Sequence, residues 1–180
     1  MKKNFIYVCA IMSLSLGSCQ NDFLDRVPLD EIADETFWKN EEQLQLAVNA
    51  IYNNLKAKNT VDMENMGDNT LWPSITAYLQ IGSGNFGPDL PTLNDEWRNL
   101  YMGIRQCNTF LENYQQADVA VPARKEALPA EVRVIRAYLY SYLTFLYGDV
   151  PLITKSLNID ELYGPRDPQG KVIDFILTEL

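Results

Sequence analysis

At 180 residues, 47% of them hydrophobic, the chain is long and apolar enough to bury the core of a domain, which excludes wholesale disorder. It carries 15 basic against 24 acidic residues, a formal charge of −9, and a surface this acidic is repelled by phosphate backbones, which argues against a nucleic-acid partner. There is no histidine, so the commonest general base and the commonest metal ligand are both missing, and neither a catalytic residue, a metal site nor a cofactor is expected.

Lys2 and Lys3 precede an apolar run from Phe5 to Leu16 that is too short to cross a bilayer and ends in small residues, the pattern of an export signal over residues 1–18. Its last four residues, Leu16-Gly17-Ser18-Cys19, resemble the bacterial lipobox, in which the chain is cut before the cysteine and the new first residue is lipidated. Cys19 is therefore the expected lipidation site, with each buried acyl methylene worth about 0.8 kcal/mol of membrane binding. With Cys9 inside the leader and Cys19 blocked, Cys107 has no partner for an internal disulfide and is expected as a small buried apolar side chain. Residues 19–39 form a polar tether whose anchors are Phe23, Leu24 and Val27.

From residue 40 the periodicity becomes helical. Asn40 can cap a helix with Gln43 three residues on, as in a capping box, and Leu44, Ala47, Val48, Ile51, Tyr52 and Leu55 then make one stripe. Between Lys58 and Asn94 the pattern collapses into Asn, Gly, Pro and Asp, a length that points to function or to disorder. Within it lies Gly82-Ser83-Gly84-Asn85-Phe86-Gly87, which matches the G-x-G-x-x-G of dinucleotide-binding turns. The lead-in ITAYLQI passes for a strand. Pro88 and Pro91 follow at once, however, and the next helical pattern waits until about Asp95, so the stretch reads as a flexible loop without the helix N-terminus that would hold a pyrophosphate.

A second helix is expected from about Asp95 to Gln116, with Trp97, Leu100, Tyr101, Ile104, Cys107, Asn108 and Leu111 on its buried stripe and Asn108 bonded to a neighbouring backbone. A third runs from near Pro122 to Tyr147, kinked or restarted at Pro129 and stopped by Gly148 and Pro151. Its stripe of Val132, Ile135, Leu139, Tyr142, Leu143 and Leu146 is widened by Tyr138, Tyr140 and Phe145, which predicts a helix sandwiched between others. Glu131, Arg133 and Arg136 are expected in ion pairs that fix helix contacts. The last helix is capped by Asp167 with Pro168 at its first position, and carries Val172, Ile173, Ile176, Leu177 and Leu180 on its stripe. Leu180 stands in mid-stripe, so a piece of something longer is expected.

Helix pairs without strands predict an all-α fold, a tetratricopeptide-like solenoid. The stretch EVRVIRAYLYSYLTFLYGDVPLIT, residues 131–154, resembles the signature of the SusD/RagB family of Bacteroidetes outer-membrane nutrient-binding lipoproteins. So do EWRNLYMGIRQCNTFLENY at 96–114, DFLDRVPLDEI after the lipobox, and GPRDPQGKVIDFILTEL with Arg166 before the last helix. Family members are several times longer, so residues 40–180 resemble the N-terminal portion of a SusD-like fold. Pro129 departs from the family, which more often has a helix-favouring residue there.

The resemblance implies a lid on a SusC/RagA-like TonB-dependent transporter, lipid-anchored in the outer membrane and exposed at the cell surface. It would capture an oligosaccharide or a peptide and do no covalent chemistry. Sugar capture needs flat aromatics for C–H faces and amides or carboxylates for hydroxyls. The irregular segment offers Trp72, Tyr78, Asn85, Phe86 and Asp89, chosen by location, with Trp72 first. The alternatives are a helical-repeat scaffold that only docks a partner protein, a non-functional fragment, and a nucleotide enzyme.

Overall fold

Asn40 starts the first helix, and its side chain accepts from the Gln43 backbone N–H at 3.0 Å. The reciprocal arm reaches one residue further back than in a capping box: Gln43 Oε1 accepts from the backbone N–H of Lys39 at 2.8 Å. In this computed structural model, which describes residues 37–180 (the Lys58 side chain aside), α1 is Glu41–Tyr52 and buries Leu44, Val48 and Ile51. The export signal, Cys19 and nearly all of the tether lie outside the described residues.

The irregular stretch holds more structure than its composition suggests. It contains α2 (Lys58–Met63), a 3-10 turn at Glu64–Met66, and α3 (Ala77–Gly82). The presumed strand ITAYLQI is thus largely helix, with the Thr76 hydroxyl accepting from the Leu79 N–H at 3.2 Å as its cap. The next helix, α4, is Pro91–Asn113, and it begins four residues before the expected Asp95. Pro91 occupies the first turn, where a missing N–H leaves nothing unpaired, so a residue read as a breaker is the starter.

α5 (Pro122–Tyr147) is continuous through Pro129, which is buried inside it. Proline cannot donate to the Lys125 carbonyl four residues earlier, but packing of Leu128, Pro129 and Val132 keeps the turn helical. Gly148, at φ 66°, ends the helix by donating its N–H to the Thr144 carbonyl at 3.0 Å. α6 is Gln169–Glu179. Its cap is not Asp167, whose carboxylate instead accepts from the Leu152 N–H at 2.9 Å and from Lys171 at 2.7 Å.

α5 is the centre of the array and packs against α1, α4 and α6. α4 and α5 pack on each other, and Leu139, Tyr140 and Leu143 of α5 and Leu100, Ile104 and Phe110 of α4 are all essentially inaccessible to solvent. Two parts of the expected stripes face water: Phe145 is 69% exposed, and Ile173, Leu177 and Leu180 on α6 are all exposed. α6 docks through Val172, as expected of its stripe, together with Phe175 against the Tyr140 ring and Glu179. Strand pairing among the described residues is limited to two isolated bridges, Asn40 with Asp118 and Val150 with Asp167. The fold is all-α.

Asn108, Arg133 and Arg136 are paired as expected, whereas Glu131, expected in an ion pair, accepts from the Tyr52 hydroxyl at 3.2 Å. Asn108 donates to the carbonyls of Ile153 and Lys155, both at 3.1 Å, and accepts from Arg136 at 2.7 Å. Arg136 and Arg133 both pair with Glu179. The fully buried Tyr140 hydroxyl donates to the Ile153 carbonyl at 2.9 Å and accepts from its N–H at 2.7 Å, fixing the chain that leaves α5. Cys107 is fully buried, and burial pushes its thiol up to about 12. Native protein treated with iodoacetamide at pH 8 should leave Cys107 unmodified, and denaturant should release it; peptide mapping checks both. Alkylation without denaturant would show that α4 opens locally.

Candidate functional site

The glycine motif is settled by its geometry. After α3 ends at Gly82, Gly84 takes φ 72°, its N–H donates to the Ile81 carbonyl at 3.0 Å, and the Asn85 N–H donates to the Gln80 carbonyl at 2.9 Å. That pair of bonds is a Schellman motif, which closes a helix. GSGNFG therefore sits at the carbonyl end of a helix, the wrong end for a pyrophosphate. Gly82 has its own reason: a Cβ there would lie 2.7 Å from the Met66 Cα and carbonyl oxygen, so α3 rests backbone to backbone on the 3-10 turn.

The five residues expected at a ligand surface fall into two kinds. Trp72 (37% exposed) and Phe86 (46% exposed) present aromatic surface to solvent, and Asn85 and Asp89 are exposed beside Phe86 in sequence. Asn85 is held by the motif above through its own N–H, and Phe86 follows it directly. Tyr78 is different. It is half-buried, and its hydroxyl donates to Glu96 Oε1 at 2.7 Å; burial and the Asp62 charge raise its phenol above the ordinary value. Trp97 is an internal aromatic, with Tyr101 at 4.9 Å, Tyr147 at 5.0 Å and the Arg166 guanidinium at 5.3 Å from its ring.

A cavity of about 540 Å³ opens beside this segment. Thr60, Met63, Glu64, Met66 and Gly67 make one wall, and Ser141, Tyr142 and Phe145 from the end of α5 make the other. None of the five expected residues lines it. The spacing puts Tyr142 on the apolar stripe of α5 and Phe145 beside it, which by itself predicts core for both; the polar Ser141 between them and Leu139 is the signal that this face is open. Among the described residues no group of three or more acidic or cysteine side chains is placed to hold a metal ion, and no helix is long and apolar enough to cross a membrane.

Helices packed around one central helix make a tetratricopeptide-like helical fold. The chain belongs to the SusD-like family: the family model described as "starch-binding associating with outer membrane" matches residues 22–175. A SusD-like protein of Formosa agariphila is 28% identical over 196 residues, covering 100% of this chain and 37% of the relative. One from Bacteroides ovatus is 26% identical over 186 residues, covering 99% and 34%. The chain thus spans about a third of the length of these relatives. Among solved structures, a SusD-like protein from Bacteroides fragilis superposes with a TM-score of 0.70 at 29% identity, covering 86% of this chain and 31% of that one. A SusD-like carbohydrate binding protein from the same species also gives 0.70, at 25% identity over 80% of this chain and 31% of that one.

Proposed function

We propose that this chain is part of a cell-surface lipoprotein that binds a glycan, with a peptide as the second ligand class, and delivers it to a SusC/RagA-like TonB-dependent transporter of the outer membrane. Cys19 is the proposed lipidation site, and residues 1–18, 19–39 and 40–180 are the proposed leader, tether and SusD-like helical region. The reading assigns the chain no covalent chemistry. The observation that supports it most is the family match over residues 22–175 together with the exposed rings of Trp72 and Phe86 in one segment. Rings exposed in this way suit the C–H faces of sugars, and the Asn85 amide and Asp89 carboxylate suit their hydroxyls.

The test is affinity electrophoresis or calorimetry against a panel of oligosaccharides beginning with starch fragments. Trp72→Ala with Phe86→Ala is expected to weaken binding at least about tenfold, since each stacked ring is worth roughly 0.5–1.5 kcal/mol beyond its buried area. Unchanged affinity in the double variant would remove the segment from the site. A second reading is favoured by Leu71 and Ile75, each 79% exposed on either side of Trp72 and its neighbours, because exposed aliphatic side chains suit a protein surface better than a sugar. On that reading the chain only docks a partner, and partner binding is insensitive both to glycans and to Trp72→Ala.

A further inference from the structure

Three elements remote in sequence meet at one buried carboxylate. Glu96, in α4, is 6% exposed, and Lys56, just past the end of α1, is 9% exposed. The Lys56 ammonium pairs with Glu96 Oε2, and the Tyr78 hydroxyl of α3 donates to Glu96 Oε1 at 2.7 Å. α5 completes the enclosure. Tyr138 accepts the Lys56 backbone N–H at 3.2 Å, and the Lys56 Nζ lies 5.6 Å from the centre of the Tyr142 ring, which also lines the 540 Å³ cavity. Ala57, beside Lys56, takes φ 46°, a backbone conformation that a residue with a Cβ keeps only where its surroundings hold it.

This pair adds to what packing does. α3 has no fully buried side chain, its residues Ala77–Ile81 being half-buried, so the close approach of Gly82 to the Met66 backbone and the Tyr78 hydroxyl add to a modest apolar contact in holding it. A charged, desolvated acceptor gives that single hydroxyl more grip than a neutral one would. Burial pulls the Lys56 amine down to about 8, the direction expected for an ammonium taken out of water.

We propose that Glu96, Lys56 and Tyr78 are positioning residues, a buried clamp that fixes α3 and therefore the capped turn carrying Asn85 and Phe86. The proposal rests on the reading that this segment contacts ligand, and it adds how the contact surface is preorganised. A surface held in place before the ligand arrives loses less freedom on binding.

Hydrogen exchange on the whole chain tests it. Tyr78→Phe deletes one hydroxyl and should raise exchange of the Gln80–Asn85 amides about tenfold or more, the worth of a hydrogen bond to a charged group, while Leu139 and Leu143 in α5 stay protected. Glu96→Gln should have a similar effect by leaving Lys56 without a countercharge. Adding Lys56→Met to Glu96→Gln should restore part of the protection, because the orphaned charge is gone and the amide oxygen still accepts from Tyr78, though as a weaker neutral acceptor; a pair that served only for packing would give additive losses instead. Unchanged exchange in Tyr78→Phe, or equal loss of protection in α3 and α5, would overturn the clamp. Loosened α3 with unchanged oligosaccharide affinity would leave the clamp standing and overturn the glycan reading of the segment.

Discussion

Arg136→Met should destabilise the protein by about 3–5 kcal/mol, the usual cost of breaking a buried ion pair from one side. Arg136 is 7% exposed and its planar head serves three groups at once. It donates to Glu179 Oε2 at 2.7 Å, donates to Asn108 Oδ1 at 2.7 Å, and stands 5.3 Å from the centre of the Phe175 ring. Methionine fills much of the volume and leaves a nearly buried Glu179 facing an apolar neighbour, with only the half-exposed Arg133 still beside it. Asn108 keeps its two bonds to the Ile153 and Lys155 carbonyls, so the chain after α5 stays in place and the loss falls on α6. The check is a urea titration of Arg136→Met, Glu179→Leu and the double variant. The double variant should recover most of the loss, since apolar replacement of both partners is often neutral. Additive losses would mean that the two side chains act through packing rather than through charge.

Phe110→Ala should cost about 3–5 kcal/mol and, for a chain of this size, lower Tm by roughly 6–20 °C. The ring is fully buried, meeting Trp38 edge-on at 5.9 Å and lying parallel to Tyr114 at 5.9 Å. It thus joins the residues before α1 to the end of α4, and its loss leaves a cavity that two large rings cannot collapse into without leaving their own partners. Phe145→Ala, the same change on α5, should stay within about 0.5 kcal/mol because that ring is 69% exposed. Calorimetry of the two variants side by side separates them. Equal effects would show that Phe145 is covered in solution.

These two phenylalanines also mark where reading the sequence stopped. Spacing from Ile104 and Cys107 selected Leu111 for the buried face of α4, whereas Phe110 is the deeper residue because Trp38 arrives from outside the helix. Phe145 looked like core because an apolar residue on a crowded helix gives no sign of whether a neighbour exists on that side. The same gap explains α6: of the stripe only Val172 is fully buried, Ile173, Leu177 and Leu180 face solvent, and Phe175 and Glu179 complete the docked face. Residue type and place in the chain suggest Tyr78 as a ligand contact and cannot show that its hydroxyl is directed to Glu96, 18 residues on.

What the sequence determined by itself was the set of long helices, the Asn40 cap, the Gly148 stop and the pairing of Asn108. Each depends on interactions within a few residues or on a buried polar group's need for a partner, and both are written locally. The tertiary structure alone decided which faces of α5 and α6 are covered and that Lys56, Tyr78 and Glu96 converge. Those outcomes depend on which surfaces meet, and burial free energy is a property of the pair of surfaces rather than of either stretch of chain.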